Sequence, residues 1–376
     1  MAYNLDNGPV KTPTKRFVPL VGVGRERHHL AKASATTEAK QLFTIGEVAQ
    51  QASLSIETLR RMDRKGEFKP SATTPGRQRR YTAEDVGRLF DIRRERKRDA
   101  GRRCLTISFV NVKGGVGKST LAITLAGALA QRGYRVLVVD ADPQANATQG
   151  LGLDPEKTTP TMARVLLPEG DRDRLPLSDV VRPLPDLHPR LFIAPAHIDL
   201  ALVEGRLHTL PVQREIVLDE ALDGVRADFD YIFVDSPPTI SNILINVMVA
   251  SDGIIVPVDA TYSLSGVAAL NQTRALCAKV NRHPVLLLGA VLNKQVMNTT
   301  MHSVVLAQTQ MTFGPERVFK TILPFRTEIE KATHRGEPVI FSSDPAASPY
   351  SQLADEIVQV ASSLLSQRPV TADGHD

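Results

Sequence analysis

A glycine-rich segment between an apolar run and a helical pattern restricts this chain to a small set of folds. The segment reads VKGGVGKST, from Val112 to Thr120. Gly115 and Gly117 allow the backbone to wrap an anion in conformations that other residues avoid. The exposed amides of such a loop, at the positive end of the next helix, form a phosphate site. We therefore expect a strand, a phosphate-binding loop and a helix in that order.

The side chains of this segment predict a nucleotide with a divalent cation. Lys118 would reach the β- and γ-phosphates, and the Ser119 hydroxyl would bind Mg²⁺. The general pattern GxxxxGK[ST] has Gly where this chain has Val112, and Lys113 is an additional cation before the paired glycines. Taken alone, the segment could also be a glycine-rich turn with chance lysines. The predicted nucleotide-contacting residues here are Gly114, Gly115, Val116, Gly117, Lys118, Ser119 and Thr120.

Carboxylates at the ends of two later apolar runs argue against a chance turn. The run VLVV leads to Asp140 and Asp142, and the run YIFV leads to Asp235. Acidic residues at the carboxyl ends of parallel strands lie where open α/β sheets bind their ligands. We expect Asp235 to hold the Mg²⁺ shell through water and Asp142 to orient or deprotonate the attacking water. Asp140 is expected to support either the metal shell or the loop, so the predicted cofactors are ATP and Mg²⁺.

Short apolar runs that alternate with helical patterns predict an α/β fold from Leu105 onward. The runs lack a clean polar alternation, which is typical of a parallel sheet covered on both faces. We expect a doubly wound, mostly parallel sheet of the P-loop NTPase kind, with an irregular excursion at Pro155–Leu187. The predicted strands are Leu105–Val112, Arg135–Val139, Tyr231–Val234, Gly253–Val258 and Val285–Leu292, and the predicted helices include Lys118–Gln131 and Leu353–Leu365.

Charge is unevenly distributed along the chain. Up to Arg103 there are 23 Lys and Arg against 12 Asp and Glu, a net charge of +11, whereas the remainder has 23 against 29, a net charge of −6. A basic segment on a mildly acidic body is typical of contact with a polyanion, although a solvated charged surface would have the same balance. The N-terminal segment is therefore the candidate for nucleic-acid binding, but charge alone does not decide it.

The pattern of residues 43–95 predicts a small helical domain. Thr44 and Glu47 have the spacing of a capping box at a helix start. Ser55 opens a second helix, which Gly66 ends. A basic, turn-rich stretch then separates the second helix from a third.

Three absences in the sequence narrow the class of protein. No run of about eighteen apolar residues occurs, so no transmembrane span is expected, and the N-terminal residues lack the apolar core of a secretory signal. Cys104 and Cys277 are the only cysteines, and they have no metal-ligand spacing. We therefore expect a cytoplasmic protein with reduced thiols and no membrane partner.

Three segments together resemble the nucleotide motifs of the ParA/MinD superfamily. They are Lys113–Thr120, Asp140–Thr148 and Asp235–Pro238, and the resemblance extends over about Leu105–Leu365. It implies that Lys113 is a signature lysine that reaches the ATP of a partner subunit. Two subunits would then enclose two nucleotides face to face, so the first partner expected is a second copy of the chain.

The resemblance also implies roles for individual side chains. Asn293, directly after a predicted strand, and Pro324 would lie near the adenine. The residues around the chemistry would be Lys113, Lys118 and Asp142 as catalytic groups, with Ser119, Asp140 and Asp235 at the metal.

Residues 43–94 resemble a MerR-type winged helix-turn-helix. The matching segments are TIGEVA from Thr44, SIETLRR from Ser55, and RRY from Arg79 with Glu84 and Asp85 after it. This resemblance implies an all-α winged head in which Ser55–Lys65 enters the major groove and the later arginines follow the DNA backbone. Met62-Asp63 replaces the aromatic pair of the MerR pattern, which weakens effector sensing but not DNA binding. A protein-interaction role for the same fold stays open. The residues implied to contact DNA are Thr58, Arg60, Arg61, Arg64, Arg77, Arg79 and Arg80.

A MerR-like head on a ParA-like ATPase resembles the large plasmid partition ATPases, including the RepA type. This pairing implies that the head binds an operator and represses its own operon, while the ATP-bound dimer binds chromosomal DNA without sequence preference and associates with the nucleoid. It also implies a ParB-like centromere-binding partner that stimulates hydrolysis, which is expected to be slow alone because no arginine finger is evident. The candidates for the non-specific surface, which could equally be a scattered solvated set, are Arg282, Lys294, Arg317, Lys320, Lys331 and Arg335.

Three other functions compete with this interpretation. A MinD-like membrane-cycling regulator would need a basic amphipathic terminal helix, and Ser351–Gln367 has no Lys or Arg. An iron–sulfur or metal-delivery ATPase would need clustered cysteines. A transcriptional repressor that uses ATP only as an effector stays open, because Asp142 indicates a capacity for hydrolysis and not its rate.

The expected domain boundaries follow from these patterns. They are a flexible arm at 1–42, the winged helix-turn-helix with its basic connector at 43–103, the ATPase domain at 104–368 and a disordered tail at 369–376. The pattern of the arm is compatible with a short helix at Glu26–Ala35.

Overall fold

The computed structural model describes residues 42–51, 56–73, 79–82, 85–86, 88–89, 92, 104–168, 170–209, 214–260, 264–280 and 285–367. Nearly all of the expected arm, its helix at Glu26–Ala35 and the expected tail lie outside these residues. The boundaries of those two segments therefore stay predictions.

Two short helices and a small antiparallel sheet build the N-terminal head. They are β1 (Leu42–Phe43), α1 (Ile45–Gln51), α2 (Ile56–Arg64), β2 (Ala72–Thr73) and β3 (Arg79–Thr82), with the strand order β1-β3-β2. Residues 85–86, 88–89 and 92 are helical where the third helix was expected. The head predicted to be all-α thus also contains three short strands, because the basic stretch before Tyr81 pairs with Ala72–Thr73 and forms the wing.

The boundaries of the first two helices follow from their end residues. The Thr44 amide donates to Glu47 Oε2 at 2.6 Å, and the Glu47 amide donates to Thr44 Oγ1 at 3.2 Å. This confirms the predicted capping box, in which each side chain satisfies a backbone donor that the helix leaves free. Gly66, beyond α2, has a φ of 75°, the left-handed conformation that commonly ends a helix.

Apolar side chains of the head form a core of their own. Leu59 and Met62 lie on one side of α2 and are buried in a cluster with Val48. In the same cluster, Phe68 stacks on Tyr81 with ring centroids 5.3 Å apart. The opposite side of α2 is left to charged residues and to solvent, as expected for an amphipathic helix.

A seven-stranded sheet organises the body of the chain. Its strands are β4 (Leu105–Phe109), β5 (Val136–Asp140), β6 (Arg182–Pro183), β7 (Leu191–Ala194), β8 (Tyr231–Asp235), β9 (Gly253–Val258) and β10 (Leu286–Leu292). The order across the sheet is β10-β9-β4-β8-β5-β7-β6, and only β6 is antiparallel to its neighbour. The central strands are buried along their whole length, which explains the absence of polar alternation in their sequences.

Helices cover both faces of this sheet. They are α3 (Lys118–Gln131), α4 (Asn146–Gly150), α5 (Met162–Val165), α6 (Leu200–Thr209), α7 (Val217–Arg226), α8 (Asn242–Val249), α9 (Val267–Val280), α10 (Thr300–Phe313), α11 (Thr327–His334) and α12 (Ser348–Gln367). In β5, Val136 and Val138 join the core beneath α3 and α12, whereas Leu137 and Val139 join the core beneath α7 and α8. The doubly wound α/β prediction is therefore confirmed. None of the described helices is long and apolar enough to cross a membrane.

Several elements differ from the prediction. The first strand of the body ends at Phe109 and not at Val112, because the chain turns there into the glycine-rich loop. The last helix begins at Ser348, earlier than the predicted Leu353. The sequence analysis missed β7, whose four residues end directly before Pro195; a run this short has little periodicity to recognise.

Candidate functional site

The glycine-rich loop connects the end of β4 with the first residue of α3. Gly115 and Gly117 have φ values of 78° and 90°, the left-handed region that favours glycine. A Cβ atom on Gly117 would come within 2.3 Å of Asn293 Nδ2. The same Nδ2 donates a hydrogen bond to the Val116 carbonyl at 2.8 Å. Gly117 is therefore required both by its backbone conformation and by the close approach of Asn293.

Lys118 is the buried cation of this loop. Its side chain is only slightly exposed, and Nζ donates to the Lys113 carbonyl at 3.3 Å. Burial lowers the pKa of Lys118, and the nearby carboxylates of Asp235 and Asp142 oppose that shift. The site thus brings the predicted phosphate-binding lysine close to two of the predicted carboxylates.

Asp235 lies at the end of β8, in the deepest part of the site. It is fully buried, and neither carboxylate oxygen accepts a well-formed hydrogen bond from the described residues. Burial raises the pKa of Asp235 well above its ordinary value and the Asp140 carboxylate raises it further, while the Ser119 hydroxyl opposes the shift. A buried carboxylate without partners is costly unless a cation neutralises it. Asp235 and the Ser119 hydroxyl therefore fit the shell of a hard cation such as Mg²⁺.

Asp140 lies beside Asp235 in the register of neighbouring strands, but both of its carboxylate oxygens already accept hydrogen bonds. Oδ2 accepts from the Thr148 amide at 2.8 Å and from the Thr148 hydroxyl at 2.7 Å, and Oδ1 accepts from the Asp142 amide at 3.2 Å. Burial raises the pKa of Asp140 to about 6 against these hydrogen bonds. Of the two roles expected for Asp140, the geometry favours support of the loop.

Thr148, at the other end of that contact, was missed as a site residue. It lies in α4, and its hydroxyl also accepts a hydrogen bond from the Ala196 amide at 2.9 Å. One threonine thus ties the loop after β5 to the segment after β7. The signal in the sequence was the family segment Asp140–Thr148, which ends on this residue.

Asp142 is mostly buried two residues beyond the end of β5. Its Oδ1 accepts from the Gln144 amide at 2.9 Å. Burial raises the pKa of Asp142, and the Gln144 amide and Lys118 oppose the shift. Asp142 and Asp235 therefore both interact electrostatically with Lys118. This position is compatible with the predicted role of Asp142 in orienting water.

The additional lysine of the loop has a partner that the sequence analysis missed. Lys113 Nζ donates to both oxygens of Asp259, at 2.9 and 3.0 Å. Asp259 directly follows β9, so it is one more carboxylate at the carboxyl edge of the sheet. That position in the pattern is the signal by which it could have been found.

Asn293 and Pro324 are brought into adjacent backbone segments. Asn293 follows β10 and is buried against the loop, where its amide binds the Val116 carbonyl. Gln295, two residues later, forms an isolated parallel bridge with Pro324. Its amide donates to the Leu323 carbonyl at 3.0 Å. The adenine roles of Asn293 and Pro324 stay predictions, with Pro324 half-buried and accessible.

In the head, the predicted recognition helix turns its arginines to the solvent. Arg60, Arg61 and Arg64 of α2 are exposed, and Thr58 is half-buried. Arg64 also forms an ion pair with Glu57 at 2.6 Å. The predicted wing residues lie as follows: Arg80 is half-buried in β3, Arg79 belongs to the same strand, and Arg77 lies outside the described residues.

Comparison with known proteins agrees with both halves of this description. Residues 104–284 match a family described as an AAA domain, and residues 43–100 match the MerR HTH family of regulatory proteins. The sporulation initiation inhibitor protein Soj of Bacillus subtilis is 33% identical over 255 residues, which cover 67% of this chain and 97% of that protein. The chromosome-partitioning ATPase Soj of Thermus thermophilus is 35% identical over 256 residues, 67% of this chain and 94% of that protein.

A solved structure extends the comparison to the nucleotide. Cobyrinic acid a,c-diamide synthase from Mycobacterium smegmatis, with a bound ATP analogue and magnesium, superposes with a TM-score of 0.58 at 27% identity. The match covers 69% of this chain and 96% of that protein. The loop of Gly114–Thr120, the buried Lys118 and the unpartnered Asp235 are the residues of this chain that suit such a ligand. The chain therefore belongs to the ParA/MinD family: it is a P-loop ATPase that uses ATP and Mg²⁺, with a MerR-type helix-turn-helix ahead of the ATPase fold.

Proposed function

We propose that this ATPase partitions DNA: it dimerises on ATP, binds DNA without sequence preference and returns to the monomer after hydrolysis. The observation that carries the proposal is Lys113, a second lysine in the phosphate loop whose side chain is 31% exposed. An intramolecular phosphate site is already served by the buried Lys118. An exposed second cation at the same loop is therefore suited to the nucleotide of another subunit. The similarity to the chromosome-partitioning ATPase Soj of Thermus thermophilus supports the partition role.

The proposed chemistry divides among five side chains. Lys118 binds the phosphates, and Ser119 with Asp235 holds the Mg²⁺ shell, which supplies charge neutralisation for the transferred phosphoryl group. Asp142 orients the attacking water. Its carboxylate is mostly buried and, among the described residues, accepts one backbone hydrogen bond, from the Gln144 amide. Asp140 holds the loop that carries Asp142 through the hydrogen bonds of Thr148.

Two kinds of DNA contact complete the proposal. The exposed arginines of α2 read an operator and repress the chain's own operon, while the body of the ATP-bound dimer binds chromosomal DNA and places the protein on the nucleoid. Of the body candidates, Lys294 already pairs with Glu330 at 3.1 Å, and Arg317 lies 3.9 Å from Glu316. Arg282 lies outside the described residues. A ParB-like centromere-binding partner stimulates hydrolysis in this scheme.

A nucleotide-regulated repressor without a segregation cycle is the second candidate. It is favoured by the exposed cationic face of α2, Arg60, Arg61 and Arg64, which suffices for operator binding. In that case ATP would act as an effector and hydrolysis would have no role in moving DNA.

Binding to random duplex DNA separates the two candidates. The full chain is titrated with ATP, ADP or no nucleotide, with Mg²⁺ and at one fixed salt concentration, because phosphate contacts depend steeply on salt. A variant with Arg60→Ala and Arg61→Ala removes two of the predicted head contacts and is measured in parallel. Tight binding only with ATP, retained by the variant, supports partition. Binding that is independent of nucleotide and lost in the variant supports the repressor.

A further inference from the structure

Lys113, the lysine that the proposed dimer requires, is bound to Asp259 of its own subunit. Lys113 Nζ lies within hydrogen-bond distance of both carboxylate oxygens, so the pairing is bidentate on the Asp259 side. The two side chains are 31% and 20% exposed. The pair is thus partly open to water.

Both ends of this pair are held in place by their backbones. On one side, the Lys113 amide donates to Asn111 Oδ1 at 3.0 Å and the Lys113 carbonyl accepts from Lys118 Nζ at 3.3 Å. On the other side, the Asp259 carbonyl accepts from Gln295 Nε2 at 2.9 Å. The carboxylate is therefore presented to the lysine by a fixed backbone position.

Gln295 makes that anchor rigid. It is buried, and its Nε2 also donates to the Asn293 carbonyl at 2.8 Å. Two carbonyl acceptors on Nε2 fix the amide orientation, so Oε1 faces His302 Nδ1 at 3.2 Å. Because a carbonyl oxygen only accepts, His302 Nδ1 carries the proton in this contact. The position of Asp259 is thus tied to β10 and to the start of α10.

We propose that Asp259 is a positioning residue that holds Lys113 within its own subunit and sets the ATP concentration at which dimers form. This inference rests on the proposed function, in which Lys113 must reach the nucleotide of a second subunit. While Lys113 binds both oxygens of Asp259, the same ammonium group cannot be directed at a partner's phosphates. Dimerisation therefore requires Lys113 to exchange the Asp259 carboxylate for the triphosphate bound to the partner subunit. The triphosphate carries more negative charge than the carboxylate and is the stronger competitor.

The test compares Asp259→Asn with a matched control on the full chain. Asparagine keeps the shape of the side chain and removes its charge. The control is Asp355→Asn, which breaks another partly exposed ion pair, with Arg132 at 2.7 Å. Arg132 follows the far end of α3, about 20 Å along the helix from Lys118. Asp259→Glu keeps a carboxylate and serves as the rescue.

Two readouts are measured. In the nucleotide-free protein, amine acetylation of Lys113 is followed by peptide mass spectrometry, with Lys157 as the internal reference. We expect Asp259→Asn to speed this labelling about two- to fivefold, the range for a partly exposed ion pair, and Asp355→Asn to leave it unchanged. By analytical ultracentrifugation with Mg²⁺, half-maximal dimerisation of Asp259→Asn should need about two- to fivefold less ATP. Asp259→Glu should return both values toward wild type.

The possible failures are distinguishable. Unchanged Lys113 labelling in Asp259→Asn, with normal wild-type dimers, would overturn the role of Asp259 and leave the proposed function in place. Faster labelling with an equal or greater ATP requirement would show that the pair exists but sets no threshold, which also overturns the inference. A wild-type chain that stays monomeric at saturating ATP would overturn the proposed function and with it the threshold.

Discussion

Asp142 and Lys118 interact electrostatically, but the roles proposed for them differ. Lys118 is buried in the loop itself, where its loss would leave the phosphate cradle without its cation. The Asp142 carboxylate accepts a hydrogen bond from the Gln144 amide of its own loop. Removing the lysine should therefore affect binding, whereas removing the carboxylate should affect the reaction.

We expect Asp142→Ala to retain ATP binding and dimerisation but to lose turnover by about 10²- to 10⁴-fold, the usual contribution of a positioned acid or base. Lys118→Ala should instead abolish nucleotide binding. Phosphate release and calorimetric titration with ATP measure the two effects separately. The control is Asp154→Ala, which removes a surface carboxylate paired with Lys157. Loss of ATP binding in Asp142→Ala would refute the role assigned to it.

Val112 stands where the general phosphate-loop pattern has glycine, and its side chain packs against Gly266. A Cβ atom on Gly266 would lie 1.8 Å from Val112 Cγ2 and 3.3 Å from Val112 Cβ. The valine that replaces glycine at the start of the loop therefore needs a glycine opposite it. This complementarity joins the phosphate loop to the segment that precedes α9.

Gly266→Ala should lower the free energy of unfolding by about 1–3 kcal/mol, as expected for overpacking a close contact. Combined with Val112→Ala, the same substitution should cost less, because only the Cβ contact remains. Denaturant unfolding measures both effects, with Val112→Ala alone as the reference. Gly205→Ala in α6 is the control, since no atom lies within 4 Å of a Cβ at that position. Additive costs in the double variant would show that the two residues do not interact.

At the scale of elements, the wing is attached to the rest of the head through Asp85. This side chain is almost fully buried, and Oδ2 accepts from the Ser71 amide at 2.9 Å, the Ser71 hydroxyl at 2.7 Å and the Thr82 amide at 2.9 Å. Oδ1 binds Arg88 at 2.6 Å. Burial alone would raise the pKa of Asp85, but these hydrogen bonds and Arg88 outweigh it and lower the pKa.

A lowered pKa makes the head sensitive to acid. The charged form of Asp85 stabilises the folded head fully above the pKa of the unfolded chain, about 3.9, and this contribution is lost as the pH falls through the lower folded value. At neutral pH, Asp85→Asn should cost about 1–3 kcal/mol, since buried donors lose an acceptor.

Amide hydrogen exchange of head peptides, corrected for the intrinsic effect of pH, measures this stability without interference from the body. The substitution should weaken protection at pH 7, and the acid-induced loss of protection in wild type should be smaller in the variant. Glu57→Gln on α2 removes an exposed carboxylate and should change protection little. Equal acid sensitivity in wild type and Asp85→Asn would contradict the assignment.

At the scale of the whole molecule, the charge is separated between a basic head and an acidic body, +11 up to Arg103 against −6 beyond it. The two regions also match separate families. The residues proposed to bind the nucleotide all belong to the body, from Lys113 to Pro324. ATP binding should thus be independent of the head, whereas operator recognition should depend on it.

Deletion of residues 1–100 should abolish recognition of a selected operator and leave ATP affinity within about twofold of wild type. Sequence-specific duplexes are first enriched from a random library with the full chain, and both proteins are then compared by fluorescence anisotropy and calorimetry. The salt dependence of DNA binding should also fall, since counterion release scales with the number of phosphates neutralised. If the truncated chain retained operator specificity, the head would not be the part of the protein that recognises the operator.

Local patterns in the sequence were sufficient for much of this structure. The helix predicted at Lys118–Gln131 and the strand predicted at Gly253–Val258 have those bounds in the structure. The capping box at Thr44 and Glu47 is also formed as predicted. These features depend on interactions between residues a few positions apart, so residue type and spacing determine them.

Only the tertiary structure decided which partners the site residues take. Lys113 meets Asp259 146 positions away, and Asn293 meets Val116 177 positions away. Asp140 lies beside Asp235 because β5 and β8 are neighbours, yet its oxygens bind Thr148. Such contacts depend on strand order and on the packing of loops at one edge of the sheet, which no local pattern specifies. The sequence by itself therefore determined the phosphate loop and its cofactors, and the fold decided which carboxylate is buried without an amide donor and which one binds the second lysine.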